Sequence, residues 1–144
     1  MKYVALFIVW LVGTVFMSAS AQTQMPIDTA GFQTFSYEEG DTTYLMKLYY
    51  MCFLKEGPKR DQPAEEAATL QTAHLAHLEA LAQDRKICMV GPFDDDSAIK
   101  GIVVFSTRTY EEAVTLANAD PAVRAGRLVV EVHPWWAAVG ASLF

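Results

Sequence analysis

Histidines and carboxylates are the side chains of this sequence best suited to proton transfer. His74 and His77 lie in the segment His74-Leu75-Ala76-His77-Leu78. At the helical period of about 100° per residue, His74 lies near the centre of an apolar stripe and His77 at its edge. The stripe also contains Ala67, Leu70, Leu78 and Leu81. An imidazole in such a stripe needs a polar partner, because burying an unpaired ring nitrogen is unfavourable.

Two acidic segments could supply that partner. One is the turn Asp94-Asp95-Asp96, which follows Gly91-Pro92. The other is Asp120, in the segment Asn118-Ala119-Asp120-Pro121. The residues alone leave the choice between them open.

A histidine held by a carboxylate can act as a general base or acid. The carboxylate selects the tautomer of the ring, and an ordinary histidine changes its protonation near neutral pH. On this basis His74 would move a proton on a small organic ligand in an isomerisation, a lyase reaction or an elimination, and the carboxylate would orient it. The alternative is a structural histidine that ties its helix to the Asp120 turn. No serine or cysteine is visibly arranged as a nucleophile.

Metal binding is a weaker interpretation of the same residues. His74 and His77 are one helical turn apart, but a metal site usually needs a third or fourth ligand. The Asp94-Asp95-Asp96 run lacks the glycine and the terminal glutamate of a calcium-binding loop. We therefore expect no metal and no cofactor, with His77 at the surface.

Composition places the chain among folded globular proteins of one domain. The 144 residues are 52% hydrophobic and 19% charged, and the net charge is −6. A single domain is the expectation at this length. Nucleic acids and anionic membranes reward clustered Lys and Arg, and no basic run is present. We expect neither as a partner.

The first residues have the pattern of a secretory signal peptide. A positive start at Lys2 precedes an apolar run over residues 3–16, and Ser18-Ala19-Ser20-Ala21 ends in small residues. This pattern predicts a signal peptide over residues 1–21, cleaved after Ala21, and a periplasmic or secreted protein. An uncleaved anchor is the alternative, but the apolar run is shorter than the roughly 20 residues that a membrane span needs. After cleavage we expect no stable membrane insertion.

The remaining chain predicts an α+β domain with the order βαββαβ. Residues 22–43 are polar and rich in turn formers and predict a mobile N-terminal arm, in which residues 32–37 could form an edge strand. Residues 44–134 would form the domain, and residues 135–144, with Trp135-Trp136, an apolar tail. Alternation and capping residues predict strands at 44–55, 86–91, 99–107 and 128–133 and helices at 63–83 and 109–118, with a further helical turn from Asp120-Pro121 to Gly126.

This order is that of the ferredoxin-like split unit, with the first and third of these strands in the centre of the sheet. Cys52 and Cys88 would then lie on the first and second strands, two strand spacings or about 9–10 Å apart. That separation exceeds the reach of a disulfide, so we expect free, buried cysteines; a disulfide between them is the alternative in an oxidising compartment. Both faces of the strand at 44–55 are apolar, which favours a homodimer that covers the second face.

Five short motifs, taken together, resemble the YCII-related (YciI-like) family over residues 44–134. They are His74-Leu75-Ala76-x-Leu78, Gly91-Pro92 followed by acidic residues, Gly101 in an apolar strand, Glu112-Ala113 at the start of the second helix, and Asp120-Pro121-x-x-x-Ala125-Gly126. The resemblance implies a dimeric ferredoxin-like α/β-barrel fold similar to that of muconolactone isomerase. It also implies an active site with a histidine and an aspartate. By position these are His74 and Asp120, with Asp94, Asp95 and Asp96 as second candidates.

Two hypotheses about function follow. The first is an exported, dimeric enzyme that uses His74 and Asp120 for proton transfer on a small organic ligand. The second is a non-catalytic dimeric module that binds a partner or has a structural role in the same compartment. The signal peptide and the Trp135-Trp136 tail depart from the compact cytoplasmic form that is usual in the family.

Overall fold

The computed structural model describes residues 26–143, and the predicted signal peptide lies outside the described residues. This part of the chain forms five strands and three helices. They are β1 (Thr34–Glu39), β2 (Thr42–Glu56), α1 (Ala64–Gln83), β3 (Ile87–Pro92), β4 (Ile99–Phe105), α2 (Tyr110–Asn118), α3 (Pro121–Arg124) and β5 (Leu128–Ala138). None of these helices has the length and apolar character needed to cross a bilayer.

The strands form one antiparallel sheet in which β2 and β4 are central. β4 pairs with β2 on one side and β3 on the other, while β5 pairs with the opposite edge of β2. β1 pairs with the first residues of β2, 42–47. The predicted mixed α+β class is confirmed, and the order β2-α1-β3-β4-α2-β5 is compatible with a ferredoxin-like fold. The first and third of the predicted strands are the central ones, as expected.

Alternate residues of β2 point to two different environments. Tyr50, Cys52 and Leu54 point to the helices, and their face of the sheet is called the helix-covered face. Its core also contains Leu78, Leu81, Ile87, Val103, Phe105, Ala113 and Ala117. Tyr49 and Phe53 point to the other side, called the open face, and remain partly exposed.

Part of the N-terminal arm forms a strand, which overlaps the possible edge strand at residues 32–37. Strand β1 lies within residues 22–43 and forms a hairpin with β2, which begins at Thr42 rather than Tyr44. Phe32, just before β1, lies under the ammonium of Lys47 at 3.5 Å from the ring centroid. The Arg108 Nε also donates to the Ala30 carbonyl at 2.7 Å. These long-range contacts could not be read from a polar, turn-rich composition.

The C-terminal boundary of the last strand was also predicted wrongly. β5 continues through Pro134 to Ala138, so the first four residues of the predicted tail, 135–138, belong to the sheet. Trp135 and Trp136 pair with Tyr49 and Leu48 of β2. A proline is tolerated here because β5 is an edge strand, where alternate N–H groups point away from the ladder.

The two cysteines are free, as predicted, but only one is buried. Cys52 has no exposed area on the helix-covered face, whereas Cys88 is exposed. The ladder between β3 and β4 shifts between Ile87 and Met89, so Cys88 is the extra residue of a bulge on an edge strand. The thiol of Cys88 lies beside Tyr49 and Trp135 on the open face. Strand β4 therefore lies between the strands that carry the two cysteines, and the two side chains also point to opposite faces of the sheet.

Candidate functional site

Helix α1 brings His74 into the protein interior. The predicted stripe is the buried side of the helix, because Leu78 and Leu81 belong to the core and Ala67 and Leu70 are half-buried. His74 itself is 7% exposed. Two glutamates in the first turn, Glu65 and Glu66, favour helix formation at this end through their interaction with the helix dipole. Helical periodicity alone therefore accounts for the burial of the imidazole.

Asp120 reaches the same region from the junction of α2 and α3. It is the N-cap of α3, and its Oδ1 accepts a hydrogen bond from the Ala122 amide at 2.8 Å. Pro121 occupies the first helical position, where its missing N–H costs nothing. Gly126, with φ of 75°, ends this short helix and turns the chain into β5. The cap holds the Asp120 carboxylate in one orientation, with 2% of the residue exposed.

The two side chains meet in a short, buried contact. His74 Nδ1 lies 2.5 Å from Asp120 Oδ2. A carboxylate has no proton to donate, so Nδ1 carries the hydrogen and donates it to Oδ2. In the neutral ring the other nitrogen, Nε2, is then an unprotonated acceptor. With Oδ1 bound to α3 and Oδ2 bound to His74, Asp120 is engaged on both oxygens.

His74 contributes to the wall of a cavity of about 300 Å³. Nε2 has no hydrogen-bond partner among residues 26–143, and no side-chain nitrogen or oxygen in that range is both fully buried and unpartnered. Nε2 is therefore accessible, and His74 lines this cavity. The volume is at the lower end of the range typical of small-molecule sites.

The cavity lies between α1, β3, β4 and the start of β5, and its wall is mostly apolar. The lining residues are Leu54, Gln71, His74, Leu75, Leu78, Val90, Gly91, Pro92, Lys100, Gly101 and Leu128. A Cβ on Gly101 would lie 2.7 Å from the Gly91 carbonyl oxygen, so only glycine allows β3 and β4 to approach this closely. Two of the sequence motifs, Gly91-Pro92 and Gly101, thus form one wall.

The second candidates for the carboxylate do not reach His74. Asp94, Asp95 and Asp96 are exposed in the β3–β4 loop and do not line the cavity. Asp95 Oδ1 instead accepts a hydrogen bond from the Ser97 amide at 2.9 Å. Hydrogen bonds from Ser97 hold the pKa of Asp95 below its usual value. The structure pairs His74 with Asp120 and leaves this loop in solvent.

His77 is not arranged to share a metal with His74. Its Nε2 lies 3.0 Å from the Leu116 carbonyl oxygen, a hydrogen bond that joins α1 to α2. His77 is half-buried rather than a surface residue, because this contact draws it toward α2. Within residues 26–143 no group of three or more histidine, cysteine or acidic side chains is placed to hold a metal ion.

Sequence reasoning missed the one positively charged residue of the cavity, Lys100. Its Nζ donates to the Ser97 carbonyl at 2.7 Å and lies 3.1 Å from Glu56 Oε1. The hydrogen bond from Lys100 lowers the pKa of Glu56. A single lysine at the start of an apolar strand gives no local signal of a site. Only the pairing of β3 with β4 brings Lys100 to the cavity of His74.

Comparisons with known proteins give a family match and similar solved structures. The chain matches the family model of the YCII-related domain over residues 48–136. Among solved structures, it is similar to 5-chloro-2-hydroxyhydroquinone dehydrochlorinase from Burkholderia phenoliruptrix, in complex with 2,5-dihydroxybenzoquinone. The identity is 23%, the match covers 60% of this chain and 92% of the other, and the TM-score is 0.47. A search of curated proteins finds no match. On the family match, which confirms the resemblance seen in the sequence motifs, the chain belongs to the YCII-related domain family.

Proposed function

We propose that this protein catalyses proton transfer on a small organic ligand, in an isomerase- or lyase-type reaction. One observation carries the proposal: a buried carboxylate orients His74, whose Nε2 is accessible, at the wall of a cavity of about 300 Å³. In this proposal His74 is the general base and acid. Asp120 is a positioning residue, because it contacts the imidazole and not the ligand.

The chemistry follows from the tautomer. Nε2 takes a proton from a ligand carbon whose C–H is acidified by a neighbouring carbonyl, and the electron pair of that bond moves into the carbonyl. Asp120 stabilises the imidazolium that forms. Returning the proton to a different carbon completes an isomerisation. In the lyase variant, the electron pair instead expels a leaving group from the adjacent carbon, and His74 later releases its proton to solvent.

Turnover can be tested without knowing the natural substrate. The protein is incubated in D₂O with a panel of small cyclic ketones, lactones and phenols, and exchange of ligand C–H for deuterium is followed by NMR. We expect His74→Gln to slow the exchange by about 100-fold or more. Asp120→Asn should also slow it, because an amide can bind the other tautomer of the ring. His133→Gln is the matched control, since His133 lies on the opposite face of the sheet from the cavity.

Two results of the exchange experiment would overturn this function. If no compound of the panel exchanges, or if folded His74→Gln exchanges as fast as the unmodified protein, His74 is not the base. His74 and Asp120 would then serve to join α1 to α3, as in the structural alternative. A large fall in melting temperature for His74→Gln, without any catalytic effect, would point the same way.

The proposal includes a homodimer that acts after export. Support for the dimer comes from the open face, where the aromatic rings of Tyr49 and Trp135 adjoin, with centroids 6.3 Å apart, and where Leu45 is 50% exposed. A second copy would remove this apolar area from water. Support for export comes from residues 1–21, whose pattern is that of a signal peptide.

Light scattering at micromolar concentration tests the dimer. The mass should be twice that of the chain, and Phe53→Glu on the open face should give a monomer that remains folded. Gln83→Glu, on the exposed end of α1, is the control for the added charge. A monomeric mass for the unmodified protein would refute the dimer. Sequencing the N-terminus of the exported protein tests cleavage after Ala21.

A further inference from the structure

Lys100 places a positively charged residue in the cavity wall, and the proposed proton transfer gives this residue no role. Among the residues that line the cavity, Lys100 is the one with a fixed charge, and none carries a carboxylate. Apart from Gln71 and the imidazole of His74, the other side chains in the wall are aliphatic. A ligand in this cavity therefore meets one cation, one imidazole and an apolar surface.

The ammonium of Lys100 has capacity left for a ligand. A lysine has three N–H donors. Ser97 accepts one of them at 2.7 Å, and the Glu56 carboxylate lies at 3.1 Å. These contacts fix the lysine at the cavity wall and leave one donor without a partner among the described residues.

The carboxylates near Lys100 do not line the cavity. Glu56 lies 3.1 Å from Lys100 and 3.8 Å from Arg60, and Asp95 also interacts electrostatically with Lys100. Neither carboxylate is part of the cavity wall, so Lys100 is the charged residue of an otherwise apolar lining. An anionic group is the complement of such a site, because a charge-assisted hydrogen bond is stronger where the surroundings are apolar.

We propose that Lys100 selects the ligand of this cavity by binding a carboxylate, so that the ligand is a small, mostly apolar organic acid. This inference rests on the proposed function, since it concerns the same cavity. The carboxylate contacts the free donor of Lys100, the hydrocarbon part packs against Leu54, Leu78 and Leu128, and the other end of the ligand lies at Nε2 of His74. Lys100 is a specificity residue and takes no part in moving the proton.

Matched acids and amides test the inference. Dissociation constants are measured by NMR titration at low salt for benzoate, phenylacetate and cinnamate and for their uncharged amides. We expect each carboxylate to bind about tenfold more tightly than its amide. In Lys100→Met the carboxylates should weaken to the level of the amides, while the amides stay unchanged. Lys100→Arg should keep the preference.

Two further variants make the test specific. Lys55→Met removes the same charge one strand away, where Lys55 contacts Glu131, and should leave the preference intact. Glu56→Gln removes the competing carboxylate and should tighten binding of the acids severalfold. Because this variant is expected to increase the affinity for the acids, its result does not depend on whether Lys100→Met folds.

Three outcomes would overturn the inference. They are equal affinity for acids and amides in the unmodified protein, a preference that persists in folded Lys100→Met, and no binding of any acid. Failure of the proposed function has a different signature. Acids would then bind with the expected dependence on Lys100, but no deuterium exchange would depend on His74.

Discussion

Residues 26–143 contain two histidine–carboxylate pairs, and they lie on opposite faces of the sheet. His74 Nδ1 and Asp120 Oδ2 are 2.5 Å apart, and their side chains are 9% and 3% exposed. His133 Nε2 and Glu131 Oε1 are 2.8 Å apart, with 53% and 49% exposure. The first pair joins two helices across the helix-covered face, and the second lies along one strand, two residues apart. Similar atoms at similar distances thus have very different surroundings.

The difference shows why distance alone does not identify a functional pair. His133 and Glu131 are about half exposed, and Glu131 also accepts a hydrogen bond from Lys55 at 2.9 Å, so its carboxylate is shared between two exposed side chains. His74 is largely shielded from water, the carboxylate is fixed by the cap of α3, and the residue lines a cavity. Only the buried pair has one orientation and a space for a ligand.

The largest expected effect comes from removing each carboxylate in turn. Asp120→Ala should lower the free energy of unfolding by about 3 kcal/mol, because it removes the cap of α3 and leaves a buried imidazole N–H without an acceptor. Glu131→Ala, the exposed counterpart, should leave stability unchanged within error. Urea unfolding measures the change in the free energy of unfolding for each variant. Equal losses in the two would show that burial does not distinguish the pairs.

A second test concerns the close packing beside the buried pair. Gly101→Ala should lower the free energy of unfolding by about 1–3 kcal/mol, because the new Cβ would lie 2.7 Å from the Gly91 carbonyl. Gly91→Ala is the control from the same cavity wall, since a Cβ there has no heavy atom within 4 Å. If both variants unfold at the same urea concentration, the approach of β3 to β4 does not require a glycine at position 101.

The two cysteines report on the same two faces. Burial raises the pKa of the Cys52 thiol to about 12, so it stays protonated and shielded at pH 8. Partial burial raises the pKa of the Cys88 thiol as well, but the residue as a whole is exposed on the open face. We expect a maleimide to label Cys88 within minutes and Cys52 only after unfolding, as measured by mass spectrometry of digested protein. In a dimer that covers the open face, labelling of Cys88 should slow as the protein concentration rises.

The smallest effect is the titration of Glu131 in the exposed pair. Hydrogen bonds from Lys55, and then from His133, hold the pKa of Glu131 below its ordinary value of 4.5. A lowered pKa stabilises the fold above pH 4.5, and that contribution disappears as the pH falls through the folded-state pKa. Because the pair is exposed, the contribution is small and is screened by salt. NMR titration should show the midpoint of Glu131 rising toward 4.5 in Lys55→Met; an unchanged midpoint would remove Lys55 as the cause.

Much of the site was predictable because its parts are local. Periodicity in α1 buries His74, and the Asp120-Pro121 pair has the pattern of a helix start. The family resemblance favoured Asp120, but periodicity and capping left the acidic loop after Pro92 as an alternative. The choice between them depends on how α1 packs beside the junction of α2 and α3, a contact between residues 46 positions apart. No local pattern encodes that contact.

The errors have the same origin. The continuation of β5 through Pro134 depends on its edge position, and the ordering of the arm depends on Lys47 and Arg108 from distant elements. The exposure of Cys88 follows from a register shift against β4. In each case a neighbour distant in sequence overrides the local preference.

The sequence by itself determined the α+β class, the order of the main strands and helices, the family and the burial of His74. Periodicity, capping and turn residues act within a few positions of the chain, so their physical consequences can be read along it. Only the tertiary structure decided which carboxylate binds His74, which cavity His74 lines, and that Lys100 lines the same cavity. Those facts depend on strand pairing and packing between segments far apart in the chain. Such contacts form cooperatively, so no single segment determines them.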